Sequence, residues 1–178
     1  MGALDVRYTY DMSKPNATFT QKYALVQFVK PPVDGFEYPS SDWPLHVTVL
    51  DTFKASWTSP QIIAHMQKAL HSHKPFTVHA DETRFFGETG DIEVTLVDRS
   101  SQLMNLHTDL LNALKGGGLV LNDPQFAGEG FLPHATVQKD ARLVAGEAFT
   151  FYAISLVDMF PDDDAYKRRV IDTVDLGG

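Results

Sequence analysis

Hydrophobic and polar positions change period several times along this chain. Residues 23–29 (YALVQFV) form a short apolar run of β-branched and aromatic side chains, which predicts a buried strand. Pro31, Pro32, Gly35 and Pro39 then predict a long irregular connection, and residues 45–50 a second strand. Ile62, Ile63, Met66 and Leu70 follow at helical spacing. Ser59 as N-cap and Pro60 at the first helical position mark the start of that helix, which ends before Pro75. Residues 76–86 and 92–97 predict two strands joined through the turn residues Gly87 to Gly90. Leu103, Leu106, Leu110 and Leu114 place one apolar face on a second helix over residues 101–115, stopped by the triple glycine 116–118.

A glycine-containing loop over 122–131 leads to a strand at 132–138. Residues 150–159 and 168–174 predict a closing strand pair around the acidic turn at 161–164. Helices separated by pairs of strands suit an α+β fold better than a doubly wound parallel sheet. Residues 1–20 are mixed and polar and read as an N-terminal extension, leaving 21–178 as a single domain.

Two of these strands echo each other. Pro44-Leu45-His46-Val47-Thr48-Val49 lies in the first half and Leu132-Pro133-His134-Ala135-Thr136-Val137 in the second. Side chains at i and i+2 of a strand share a face. His46 and Thr48 therefore project together, with Leu45, Val47 and Val49 behind them, and His134 and Thr136 do the same. Side by side, the two strands would gather two imidazoles and two hydroxyls. That set suits phosphodiester cleavage: a neutral imidazole activates the nucleophile and an imidazolium protonates the leaving oxygen. The hydroxyls can donate to the phosphoryl oxygens. A zinc site would need a third protein ligand, and the sequence offers no obvious one.

Composition narrows the partners. The 178 residues hold no cysteine, which excludes disulfides, Cys-ligated metals and thiol nucleophiles. The 15 Lys and Arg against 23 Asp and Glu give a net charge of −8, unsuited to gripping long nucleic acid by many phosphate contacts. A small anionic substrate or an RNA end remains compatible with it. No apolar run reaches membrane-spanning length and no signal peptide is evident, so the expectation is a cytoplasmic protein without membrane contact.

On HVTV at 46–49 and FLPHATVQK at 131–139, the chain resembles the two-histidine phosphoesterases, which include 2′-5′ RNA ligase-like proteins and cyclic nucleotide phosphodiesterases. The 88-residue separation of the two histidines is also similar. The resemblance implies two pseudo-symmetric lobes, each an antiparallel sheet with a packed helix, around a central cleft. It also implies a monomeric enzyme needing no metal or other cofactor. Its substrates would be 2′,3′-cyclic nucleotides or RNA ends, ADP-ribose cyclic phosphate, or 2′-5′ phosphodiesters. His46 would be general acid and His134 general base, leaving a 2′-phosphate from a cyclic ester, with Thr48 and Thr136 on the phosphate. Lys139 matches a basic position that often follows the second motif, although strand parity sets it opposite His134. Phe131, with Phe126 and Phe160, is a candidate to stack on a base.

Other features read more plainly. His65, His71 and His73 fall on or just after the first helix, facing solvent, and His107 falls among leucines as a packed histidine. His79 is a candidate to line the cleft. The triple glycine lacks the Lys and Ser/Thr of a phosphate-binding loop. Two rival functions remain: a nucleotide- or RNA-binding module of the same fold with little turnover, and a metal-dependent hydrolase using the histidines as ligands.

Overall fold

The computed structural model describes residues 23–139 and 141–178; the expected N-terminal extension lies outside them. Ten strands and two helices follow one another as β1 (Tyr23–Phe28), β2 (Glu37–Pro39), β3 (His46–Lys54), α1 (Ser59–Leu70), β4 (Phe76–Phe86), β5 (Ile92–Val97), α2 (Ser101–Lys115), β6 (Val120–Leu121), β7 (His134–Thr136), β8 (Ala148–Phe151), β9 (Ala153–Asp158) and β10 (Lys167–Asp175). Short 3-10 turns lie at Pro124–Phe126, Gly128–Gly130 and Pro161–Asp163. This is the α+β fold expected.

The described strands join in one sheet ordered β2-β10-β9-β1-β3-β7-β5-β4-β8, with β6 added beside β3. Every pairing is antiparallel. The two motif strands, β3 and β7, are neighbours near its centre.

One face of this sheet carries the main core. Val47, Val49, Ala135, Leu25 and Leu156 pack there against Ile62, Met66 and Leu70 of α1 and Leu103, Leu106, Leu110 and Leu114 of α2. The helical spacing seen in the sequence is thus the spacing of the buried faces of both helices. On the opposite face two smaller apolar clusters stand apart. One contains Val26, Phe28, Tyr38, Val157 and Val170, with Trp43 and Met159 against it. The other contains Phe86, Val94 and Leu96, with Leu132 against it. β1 is buried throughout because it is covered on both faces.

Several elements differ from the sequence reading. The α1 cap is Thr58, one residue earlier than Ser59, and its backbone N–H donates to Gln61 Oε1 at 2.9 Å. Pro60 is tolerated one position further in because the N–H groups of the whole first turn lack helical acceptors. The single strand expected over 150–159 is two, β8 and β9, separated only by Tyr152. β8 pairs with β4 while β9 pairs with β1 and β10. One intervening residue spans at most about 7 Å, so the sheet curls until its β8 edge reaches β9. The buried Gln27 of β1 fastens that corner, its Oε1 accepting from Tyr152 N at 2.9 Å and Ala153 N at 2.8 Å. The strand at 132–138 is shorter than expected, β2 falls inside a segment read as a connection, and β6 lies in residues assigned to no element.

The helix stop at 116–118 has a packing cause as well as a conformational one. A Cβ on Gly117 would collide with the Trp57 ring, and Gly118 has φ +69°.

Candidate active site

The pairing of Val47 with Ala135 sets the geometry of the two motifs. In an antiparallel register around that pair, His46 stands beside Thr136 and Thr48 beside His134. Direct neighbours are about 5 Å apart at Cβ and diagonal ones, such as the two histidines, about 7–8 Å. All four side chains face away from the main core, into the gap between the two smaller apolar clusters. They line one cleft of about 270 Å³, just below the usual range for small-ligand sites. Phe126, Phe131 and Leu132 also line it, as do Ser40, Trp43, Asp51, Thr52, Asn122, Asp123, Gln138 and Met159.

A bulge explains how β3 serves both faces. Register shifts by one residue on each side of the Leu25–Leu50 pair. Val49 and Leu50 are therefore both buried, although they are consecutive. Beyond the bulge Asp51 and Thr52 come to line the cleft.

Each imidazole is held in the same way. His46 Nδ1 lies 2.8 Å from the carbonyl oxygen of Pro44, and His134 Nδ1 lies 2.8 Å from that of Leu132. A carbonyl only accepts, so each Nδ1 carries a proton. In the neutral ring this leaves Nε2 as the basic atom, and in the protonated ring it makes Nε2–H the acid. The His46 ring packs 4.6 Å from Trp43 and 5.9 Å from Phe28, and the His134 ring 5.0 Å from Phe86. Burial pushes His46 down to about 4, against a smaller upward pull from the Pro44 carbonyl. At neutral pH its imidazole is uncharged.

The remaining candidates divide. Phe131 is buried and lines the cleft, and its ring stacks on His107. Lys139 is not among the lining residues. β7 ends at Thr136, and Lys139 sits in the following turn with φ +48°, where strand parity no longer applies. Its ammonium pairs with Asp42 at 2.6 Å. His79 is exposed on β4 and does not reach the cleft. His107 is packed and hydrogen-bonded, as expected. His73 is not solvent-facing: its side chain is 12% exposed and pairs with Asp109 of α2 at 2.8 Å. Among the described residues no group of three or more His, Asp or Glu side chains could hold a metal ion.

Sequence reasoning missed Trp43, Asn122, Gln138 and Met159. Trp43, directly before the first motif, and Gln138, on the parity of His134 and Thr136 at the end of the expected strand, were the two with a local signal. Asn122 and Met159 reach the cleft only through tertiary pairing.

A family model of the 2′-5′ RNA ligase superfamily matches residues 22–153. The chain belongs to that superfamily. Its fold is similar to that of TT0787 of Thermus thermophilus, at 15% identity and a TM-score of 0.58, covering 88% of this chain and 98% of the other. It is also similar to E. coli LigT complexed with 3′-AMP, at 14% identity and a TM-score of 0.52, with the same coverage. No curated protein sequence matches the chain. None of the described helices is long and apolar enough to cross a membrane.

Proposed function

We propose that this protein is a phosphodiesterase that opens cyclic phosphates of nucleotides or RNA ends, or cleaves 2′-5′ phosphodiesters, by paired-histidine acid–base catalysis. The observation that carries the reading is the pair of imidazoles on adjacent central strands, each oriented by a backbone carbonyl two residues upstream, with a threonine beside each. Membership of the superfamily agrees with it. That LigT, similar in fold, forms complexes with 3′-AMP and NADP+ favours a nucleotide as ligand.

In the proposed step, the basic Nε2 of one imidazole takes a proton from water as its oxygen bonds to phosphorus. The Nε2–H of the other gives its proton to the ribose oxygen as the ring P–O bond breaks. The Thr48 and Thr136 hydroxyls donate to the non-bridging oxygens, where charge builds in the transition state. The two histidines supply both proton transfers, so the scheme calls for no metal.

The family resemblance gives His46 the acid's part. An imidazole titrating near 4 must then take up its proton with the substrate, at a cost near pH 7 of about 4 kcal/mol. The phosphate's negative charge and the indole face of Trp43 are the two features that offset it.

A panel of 2′,3′-cyclic mononucleotides, ADP-ribose cyclic phosphate and 2′-5′ dinucleotides, assayed with excess chelator, tests the function. A diester with a good leaving group tests the roles, because it needs little protonation. It should restore turnover to His46→Ala and not to His134→Ala; the reverse pattern would exchange the assignments.

A further inference from the structure

His107 takes no part in the chemistry above, yet it is 1% exposed and both of its ring nitrogens are hydrogen-bonded. From α2 its Nδ1 donates to the carbonyl oxygen of Val49 at 2.6 Å, and its Nε2 accepts from the backbone N–H of Gly128 at 2.9 Å. The Phe131 ring stacks on the imidazole with centroids 4.1 Å apart and planes 8° from parallel. Val49 directly follows Thr48, and Phe131 lies three residues before His134.

One imidazole thus ties the Thr48 strand to the loop that forms the aromatic wall of the cleft. The His/Thr quartet has its own scaffold in the β3–β7 and β5–β7 pairings. The wall is built differently, from two 3-10 turns outside the sheet, which the Arg99 guanidinium also holds by donating to Glu129 O at 2.9 Å. The Gly128 contact exists only with the neutral ring, because protonation would set two N–H groups against each other. Burial holds His107 below the ordinary imidazole range, which keeps the acceptor nitrogen available at neutral pH.

We propose that His107 is a positioning residue that fixes the Phe131 wall, and through it sets affinity for the nucleoside part of the ligand while leaving phosphate binding untouched. This rests on the reading of the cleft as a nucleotide site.

The test compares 3′-AMP with inorganic phosphate by titration calorimetry, on wild type, His107→Phe and His107→Gln. His107→Phe keeps a ring against Phe131 and loses both hydrogen bonds; His107→Gln keeps a donor and an acceptor on one planar amide. The Kd for 3′-AMP should rise about ten-fold in His107→Phe and about three-fold in His107→Gln, as expected for lost buried hydrogen bonds, with phosphate affinity unchanged. Equal loss of both ligands, or no loss of 3′-AMP affinity in either variant, overturns the proposal. If His107→Phe does not fold, His107→Gln decides by the same criterion. A wild type that binds 3′-AMP no more tightly than phosphate also overturns it. A wild type that binds 3′-AMP and turns over none of the diesters refutes the catalytic reading alone, and the two Kd ratios still decide the role of His107.

Discussion

Lowering the pH should expose the cost of keeping His46 uncharged. Its folded-state pKa is about 4 against an ordinary 6.5, because burial penalises the cation. Between those values the unfolded chain binds a proton at this position and the folded chain does not. Stability therefore falls as pH drops below 6.5, and the loss is complete only near 4. Integrating from pH 7.5 to 5.0 gives about 2 kcal/mol for this group. The side chain is only partly buried where it meets the cleft, and solvent screening there reduces the figure to about 1–2 kcal/mol. His46→Gln removes the titration and keeps a polar side chain. Urea unfolding of both proteins at pH 7.5 and 5.0 isolates the term, because His107 and the carboxylates are common to both. Wild type should lose about 1–2 kcal/mol more than the variant over that interval. A difference below about 0.5 kcal/mol, or of opposite sign, would refute the assignment of a buried neutral imidazole.

Three further outcomes follow from named contacts. Thr48→Val and Thr136→Val should each lower kcat by about 10²–10³-fold, the loss typical of one oxyanion donor, with little change in Tm. Gly117→Ala forces a methyl into the Trp57 ring and should destabilise the fold by about 1–3 kcal/mol in urea unfolding, with kcat at room temperature unchanged. Excess chelator should leave the rate of cyclic-phosphate opening within a few-fold of the untreated rate; abolition by chelator and recovery with zinc or manganese would favour a metallohydrolase.

Much of the site was legible because strand parity is local. The alternation that sets His46 with Thr48, and His134 with Thr136, needs only the identification of a strand. That the two strands are neighbours in register Val47 to Ala135 is a non-local fact, and the echo between the halves was its only trace. The break at Tyr152 left no mark in residues 150–159, which read as one strand without glycine or proline. The side chain that satisfies the backbone there, the Gln27 carboxamide on β1, is far away in sequence. The bulge at Leu50 was hidden for a related reason: two consecutive apolar residues fit a strand end as well as a change of parity. His73 was misread because its partner, Asp109, lies on the other helix. Lys139 was judged by the parity of a strand that had already ended.

The paired-histidine account is tested most directly by the rate of 2′,3′-cyclic nucleotide opening in wild type, His46→Ala and His134→Ala at pH 7 in excess chelator. Binding of 3′-AMP measured alongside serves as the control for folding. The account predicts turnover by wild type and a loss of about 10³-fold or more in each variant, with 3′-AMP still bound. A variant that keeps its rate within about ten-fold of wild type would contradict it.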